Sequence, residues 1–340
     1  MKKKTTTLKD VAIACGVSST AVSLVLNNKP SNLSEKTKQL IHDQARALGY
    51  RPDPTARSLA TKKTNTIGVL IPDISNAFFS EAVRHIQIEL SKYGYDMFLC
   101  NSEEKYSNDL KYLELLISRN VDGLIITMSA ESLKDNHQEA IQAMLKDSKI
   151  PYVLFDRFFE GEASKVFVDN EMSGYEMTKH LIQNGHENIG VITGPLVLNS
   201  SRDRLKGVMK ALEEAGLHIE PEHIVTGYYD METGRLGANQ LLGKVSAIFA
   251  FNDLQAFGVI ETAKQKGIRI PMDVSLVGFD DIFYSAILET RLTTVRQPIY
   301  TMSQALSNLL MKMVKDIHHH EEIRCPATLI IRNSVKNIKA

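Results

Sequence analysis

The chain is poor in cysteine and has no long apolar run. Its 340 residues hold three cysteines, Cys15, Cys100 and Cys325. They are odd in number and widely spaced, which excludes a disulfide framework, fits no metal-ligand pattern and suits a reducing cytoplasm. No segment approaches the roughly 20 apolar residues of a membrane span. The start, MKKKTTT, is basic with no apolar stretch behind it and does not read as a secretory signal. No GxGxxG and no P-loop follows a strand-like run, which argues against a nucleotide enzyme. No nucleophile–base pair is visible, so no catalytic residue and no cofactor is expected. His318-His-His before Glu321-Glu is the one histidine cluster. Three successive histidines cannot all face one ion in regular structure, so a solvated loop is expected and no metal.

Net charge is absent too, and that zero hides an asymmetry. Residues 1–63 carry twelve Lys and Arg against four Asp and Glu, a net +8. The remaining residues carry 28 basic against 36 acidic, a net −8. A basic head on an acidic body is an electrostatic footprint for a phosphate backbone.

What the head does contain is TLKDVAIACGVSSTAVSLVLN, Thr7 to Asn27. Leu8, Val11 and Ala12 have i, i+3, i+4 spacing and give a first helix one apolar face. Gly16 can take the positive φ of a sharp helix exit. Ser18 is a plausible N-cap for a second helix with Val22, Val25 and Leu26 inward. Ser19, Thr20, Ser23 and Leu24 are left facing outward. This is a helix-turn-helix, whose second helix would lie in the major groove of duplex DNA. A third helix runs from about Glu35, capped by Ser34, to Leu48, with Ile41, Ala45 and Leu48 inward and Gly49 ending it. In the proline-flanked stretch that follows, Asp53 can cap and Pro54 can open a short helix to about Ala60. That helix is too short to be stable alone and should order on a partner surface.

From Thr66 the pattern changes. Apolar runs at Ile67–Ile71, Met97–Leu99, Leu124–Thr127, Tyr152–Phe155, Ile189–Thr193, Ala247–Phe251 and Ser275–Gly278 alternate with amphipathic helices. This is βαβ alternation, hence an α/β body with a mainly parallel, doubly wound sheet. Ile67-Gly-Val-Leu-Ile-Pro and Ile189-Gly-Val-Ile-Thr-Gly-Pro both read as opening strands, which points to two lobes. Ligands in such folds bind outside the carboxyl ends of the strands.

Head, hinge and body together resemble the lactose-repressor (LacI/GalR) family of bacterial transcription regulators over essentially the whole chain. The motifs that carry the resemblance are Thr7-Leu-Lys-Asp-Val-Ala, Gly16-Val-Ser, Val22-Ser-Leu-Val-Leu-Asn, Ala56-Arg-Ser-Leu-Ala, Val121-Asp-Gly-Leu-Ile, Asn252-Asp253 and Val277-Gly-Phe-Asp, in that order. The resemblance implies a three-helix DNA-binding domain over residues 1–50, a hinge over 51–63 and a periplasmic-binding-protein-like core over 64–340. It puts one lobe at about 64–166 and 295–322 and the other at about 167–294 and 323–340. It also implies a cytoplasmic homodimer on a pseudo-palindromic operator, with no membrane partner. By position Ser19, Thr20 and Leu24 face the bases, Ser23 belongs to the same DNA contact, and Thr7, Lys9, Ser18 and Asn27 are phosphate-contact candidates. Many members carry Arg where this chain has Leu24, and an apolar group there suits a thymine methyl better than guanine. In the hinge, Arg57, Ser58 and Leu59 belong to the DNA contact, with Leu59 resembling the lever leucine that wedges into the central minor-groove step.

The body is also similar to ribose-type periplasmic sugar-binding proteins. That similarity assigns an effector pocket to Asn76, Phe78, Phe79, Asp156, Arg157, Arg202, Tyr229, Asn252, Asp280 and Gln297. Carboxylates accept, guanidinium groups donate in a fork, Asn and Gln do both, and aromatic rings stack on the C–H faces of a sugar. Asp156 with Arg157 or Arg202 could neutralise one another around the ligand. Tyr229 stands where the ribose-type pocket has Phe. Purine-binding members differ: Leu198 takes the place of their base-reading arginine and Arg157 that of a tryptophan. The expectation is a sugar-responsive repressor of a carbohydrate-utilisation operon, with ribose as first ligand. The alternatives are a repressor gated by a partner protein or another small effector, and an enzyme acting on sugars.

Overall fold

Thr7 accepts a hydrogen bond from the Asp10 amide at 3.3 Å while its own amide donates to Asp10 Oδ2 at 2.8 Å. This reciprocal capping box starts α1, Leu8–Cys15. In the computed structural model, which describes residues 6–27, 29–50, 63–316 and 319–339, α1 ends at Gly16 with φ of 67°. Ser18 accepts from the Ala21 amide at 3.1 Å and opens α2, Ser19–Leu26. The two helices meet at 105°, within the helix-turn-helix range. Ser34 caps α3, Glu35–Ala47. Val11, Ala12, Val22, Val25, Ile41 and Ala45 form the buried core of this unit. Two expectations shift. Leu48 is 40% exposed, because α3 ends one residue earlier and Leu48 is its C-cap. Leu26 is only half-buried, at the edge of the same core. The hinge helix and its Arg57, Ser58 and Leu59 lie outside the described residues, as does His318.

Residues 65–340 form a separate unit. Its first lobe runs β1 (Thr66–Ile71), α4 (Ala77–Lys92), β2 (Asp96–Asn101), α5 (Tyr106–Ser118), β3 (Gly123–Ile126), α6 (Asp135–Ser148), β4 (Tyr152–Phe155) and β5 (Lys165–Val168). The second runs α7 (Asn170–Gln183), β6 (Ile189–Thr193), α8 (Asn199–Glu214), β7 (Ile224–Thr226), α9 (Met231–Leu241), β8 (Ala247–Ala250), α10 (Asp253–Gln265) and β9 (Ser275–Val277). The chain then forms β10 (Thr294–Arg296), α11 (Ile299–Lys315), β11 (Glu322–Cys325) and β12 (Thr328–Ile330).

The first sheet has the order β11-β5-β4-β3-β1-β2 and the second β7-β6-β8-β9, with every pairing parallel. Helices cover both, so the inner strands read as nearly unbroken apolar runs, TIGVLI in β1 and AIFA in β8. α11 packs on α4, β3 and β4 and so returns to the first lobe. β10 and β12 pair antiparallel beside the crossings. The two-lobed parallel α/β body is the architecture expected from the alternation. The lobe exchange falls slightly later than expected, since β5 and β11 belong whole to the first sheet and the crossings follow Val168 and Cys325. Strands β5, β7, β10, β11 and β12 were not among the expected ones: charged residues interrupt β10 and β11, β7 and β12 are three residues long and partly exposed, and β5 opens on Lys165.

Within the second lobe α7 and α8 approach closely. A Cβ on Gly207 would collide with the Glu171 carbonyl, and one on Gly174 with the Arg204 carbonyl. These glycines let α8 sit deep enough to bring its Arg204 into the interior.

Candidate effector cleft and DNA-reading helix

The carboxyl ends of the parallel strands of both lobes open onto one cleft with about 300 Å³ of empty space, part of it open to solvent. Asn76 follows β1 and caps α4, its Oδ1 accepting from the Phe78 amide at 3.0 Å. Phe78 and Phe79 on the first turn of α4 are buried, edge to face at 5.0 Å. Asp156 and Arg157 follow β4. Ser200 and Arg204 come from α8, Tyr229 follows β7, and Phe251 and Asn252 follow β8. Asp280 follows β9, and Gln297 follows β10.

Arg157 is 2% exposed. Its Nη1 donates to Glu104 Oε1 at 2.7 Å, to Glu104 Oε2 at 3.0 Å and to the Met128 carbonyl at 3.3 Å. Asp156 Oδ2 lies 4.0 Å from its Nε, a weaker pairing than that with Glu104. The Arg204 guanidinium lies over the Phe279 ring, 3.2 Å from its centroid. Its Nη2 donates to Asn170 Oδ1 at 2.6 Å and its Nη1 to the Phe251 carbonyl. Gln297 Nε2 donates to Asp280 Oδ1 at 2.7 Å. The Tyr229 hydroxyl is shared with Ser201 at 2.8 Å, so protein already occupies the hydroxyl that distinguishes it from Phe.

Three buried polar atoms at the cleft have no hydrogen-bond partner: Arg157 Nε, Arg204 Nε and Gln297 Oε1. A buried polar atom left unmade costs about 1–3 kcal/mol, so two donors and an acceptor here call for a ligand or water. Burial also pushes the Asp156 carboxyl up against the pull of Arg157 and Arg204. It pushes Asp280 well above the usual carboxylate range, with the nearby Asp253 adding to the rise. Asp253 lies beneath the cleft and accepts from the Ile282 amide, Ser285 and Thr294; burial raises it to about 6. Asp156 and Asp280 hold φ of 61° and 119°, a backbone that side chains other than glycine rarely adopt.

Of the ten residues expected at this pocket, nine line the cleft. Arg202 does not. It sits on the outer side of α8, exposed, with Nη1 donating to the Val197 carbonyl at 2.8 Å. Arg204 takes the inner place. The phase of α8 decides between them: Arg204 shares a face with Ser200 and buried Val208, four residues away on each side, whereas Arg202 lies two residues off that face. The sequence leaves that phase open, since Leu205 and Met209 are also apolar and lie in register with Arg202, and the packing of α8 on α7 settles it. Phe251, Ser200 and Glu104 were also missed; the first read as the end of a strand, and the other two have no local signal.

On the head, Thr20 of α2 is exposed, and Ser19, Ser23 and Leu24 are half-buried. Thr7 and Ser18 serve as helix caps, and Asn27 donates back to the Ser23 carbonyl at 2.7 Å. Lys9 is exposed. Among the described residues no group of histidines, cysteines and carboxylates could hold a metal ion, and His319 pairs with Glu321 at 3.2 Å. No single helix among them is long and apolar enough to cross a membrane.

A helix-turn-helix unit followed in the chain by a two-lobed body with a polar cleft defines a class, the transcriptional regulators built on a periplasmic-binding-protein fold. Comparison with known proteins agrees. Residues 7–53 match the model for bacterial regulatory proteins of the lacI family, and residues 64–333 match that for periplasmic binding proteins and the sugar-binding domain of the LacI family. The chain is 36% identical to the HTH-type transcriptional repressor PurR of Photobacterium profundum, over 98% of this chain and 99% of that one. The lac repressor dimer bound to operator and the anti-inducer ONPF superposes with a TM-score of 0.87 at 25% identity, covering 98% of this chain and 100% of that one. A LacI family transcriptional regulator from Enterococcus faecium with bound ribose gives a TM-score of 0.71 at 30% identity, over 80% of this chain and 99% of that one. The chain belongs to the LacI family and is a DNA-binding transcriptional repressor.

Proposed function

We propose that the chain is a sugar-responsive repressor that binds operator DNA as a cytoplasmic homodimer, with a pentose, D-ribose first, as its effector. The observation that carries the reading is the set of unpartnered atoms at the cleft. Arg157 Nε, Arg204 Nε and Gln297 Oε1 stand beside two carboxylates, between Phe78 and Phe79 on one lobe and Phe251 and Tyr229 on the other. Vicinal hydroxyls that donate and accept satisfy that set, and the rings cover the sugar's C–H faces. The Enterococcus faecium regulator with bound ribose supports the same ligand class.

Ser19, Thr20 and Leu24 would read bases with Ser23 beside them, while Thr7, Lys9, Ser18 and Asn27 contact phosphates. The hinge with Arg57, Ser58 and Leu59 adds the minor-groove contact. Sugar binding would close the lobes and weaken operator binding. Coupling of this kind is reciprocal, so operator should lower sugar affinity by the same factor.

A second reading, a purine effector, is favoured by the similarity to the PurR repressors. Against it, Leu198 is fully buried among core side chains and does not line the cleft. Fluorescence anisotropy with operator DNA tests both. Release by D-ribose and indifference to hypoxanthine is the expected result; tightening by hypoxanthine with no response to millimolar ribose selects the second reading.

A further inference from the structure

Arg157 reaches the cleft with its charge already engaged. Glu104, which is not a cleft-lining residue, grips its Nη1 with both carboxylate oxygens. We infer that Glu104 is a positioning and specificity residue: by neutralising Arg157 it makes the cleft select an uncharged sugar and reject the phosphorylated form of the same sugar. This rests on the sugar reading of the cleft and adds the charge state of the ligand.

Glu104 is fastened on several sides. Its Oε2 accepts from the Ala130 amide at 2.9 Å, in the loop after β3. Its own amide donates to the Pro72 carbonyl at 3.1 Å, in the loop after β1. Glu103 and Glu104 hold φ of 55° and 57° in succession, a costly backbone for two residues with side chains. The loops that end β1, β2 and β3 thus converge on Glu104, the first holding its amide and the third its carboxylate, which in turn holds the arginine that follows β4. Such a lock fixes the guanidinium before a ligand arrives and leaves Nε as its unpartnered donor.

The charge balance follows. Glu104 and Asp156 bracket Arg157. The hydrogen bonds of Arg204 go to a carbonyl and an amide, both neutral. Asp156, Asp280 and Asp253 lie close enough to Arg204 to act on its charge, so each guanidinium already stands among carboxyl groups that a phosphate dianion would have to approach. A dianion would lose its hydration without gaining a cation, the arrangement by which a site discriminates against a charged analogue. A neutral sugar needs only the hydrogen bonds.

The test is calorimetric titration of the full chain with D-ribose, D-ribose 5-phosphate and hypoxanthine. The expected result is D-ribose binding at least about 100-fold tighter than its 5-phosphate, with Glu104→Gln narrowing that ratio about tenfold or more and Glu104→Asp retaining it. Retention by Asp separates charge from packing, which both variants disturb. Should Glu104→Gln fail to fold, Glu104→Ala replaces it, and the wild-type ratio remains decisive. Preference for the 5-phosphate, or an unchanged ratio in the charge-free variants, overturns the inference while leaving the sugar reading intact. Binding of hypoxanthine and not of D-ribose, or of none of the three, overturns the sugar reading and the inference with it.

Discussion

Gln297 donates from Nε2 to Asp280 Oδ1 at 2.7 Å, joining the residue after β10 to the loop after β9. The bond aligns the carboxamide, and its buried Oε1 is left without a partner. Gln297→Ala removes an acceptor for the ligand and the orienting bond to Asp280 together. D-ribose affinity should fall about tenfold to 100-fold, the worth of one or two buried hydrogen bonds at about 1.5–3 kcal/mol where a charge takes part. Titration calorimetry reads it; an unchanged Kd would remove Gln297 from the effector site.

Arg202 and Arg204 provide a paired control. Arg204→Met removes the hydrogen bonds to Asn170 and the Phe251 carbonyl and should abolish effector response, with a stability loss of about 1.5–3 kcal/mol for each charge-assisted bond lost. Arg202→Ala, on the exposed side of α8, should change stability by less than about 0.5 kcal/mol and leave effector affinity in place. Thermal unfolding with and without D-ribose measures both. Loss of binding in the Arg202 variant would contradict the helix phase.

Asp253 makes stability pH-dependent. Its folded-state pKa is raised from 3.8 to about 6, so the folded protein holds this proton more tightly than the unfolded chain. The contribution is therefore present at low pH and lost as pH rises through about 6, on the order of 2–3 kcal/mol across that window. Asp253→Asn should flatten the wild-type slope between about pH 4 and pH 7 while lowering stability overall, since one amide oxygen cannot accept all three hydrogen bonds. Urea unfolding across that range shows the slope; equal slopes in the two proteins would reject the assignment.

Gly207→Ala places a Cβ against the Glu171 carbonyl, backbone that cannot move aside. Helices α7 and α8 must separate, at a cost of about 1–3 kcal/mol or more. Because Arg204 and Asn170 lie on those two helices, effector binding should weaken in parallel. A variant as stable as wild type by thermal unfolding would show the close approach to be relaxed in solution.

Leu24 gives a prediction about sequence preference. Leu24→Arg puts a bidentate guanidinium on α2 and should move half-site preference toward guanine at one position, with discrimination of about 1–3 kcal/mol. Operator selection from a randomised half-site library reads the change. An unaltered consensus would mean that Leu24 does not face a base.

The elements and their kind were legible in the chain before any fold was known. Ser18 and Ser34 announce two helix starts through their capping chemistry, and both accept an amide three residues on, whereas the capping box at Thr7 came only with the structure. The apolar runs of β1, β4, β6 and β8 are long enough to read because parallel strands are covered on both faces. Cleft residues that directly follow such strands, Asp156 and Asn252 among them, were legible for the same reason. The choice between Arg202 and Arg204 waited for the packed molecule, because it depends on which face of α8 meets α7. So did Glu104, which is 53 residues from Arg157 in the chain and meets it only where parallel strands end side by side. Periodicity reports what a residue does within its own element; a charge pair between two loops is a property of the fold that brings the loops together.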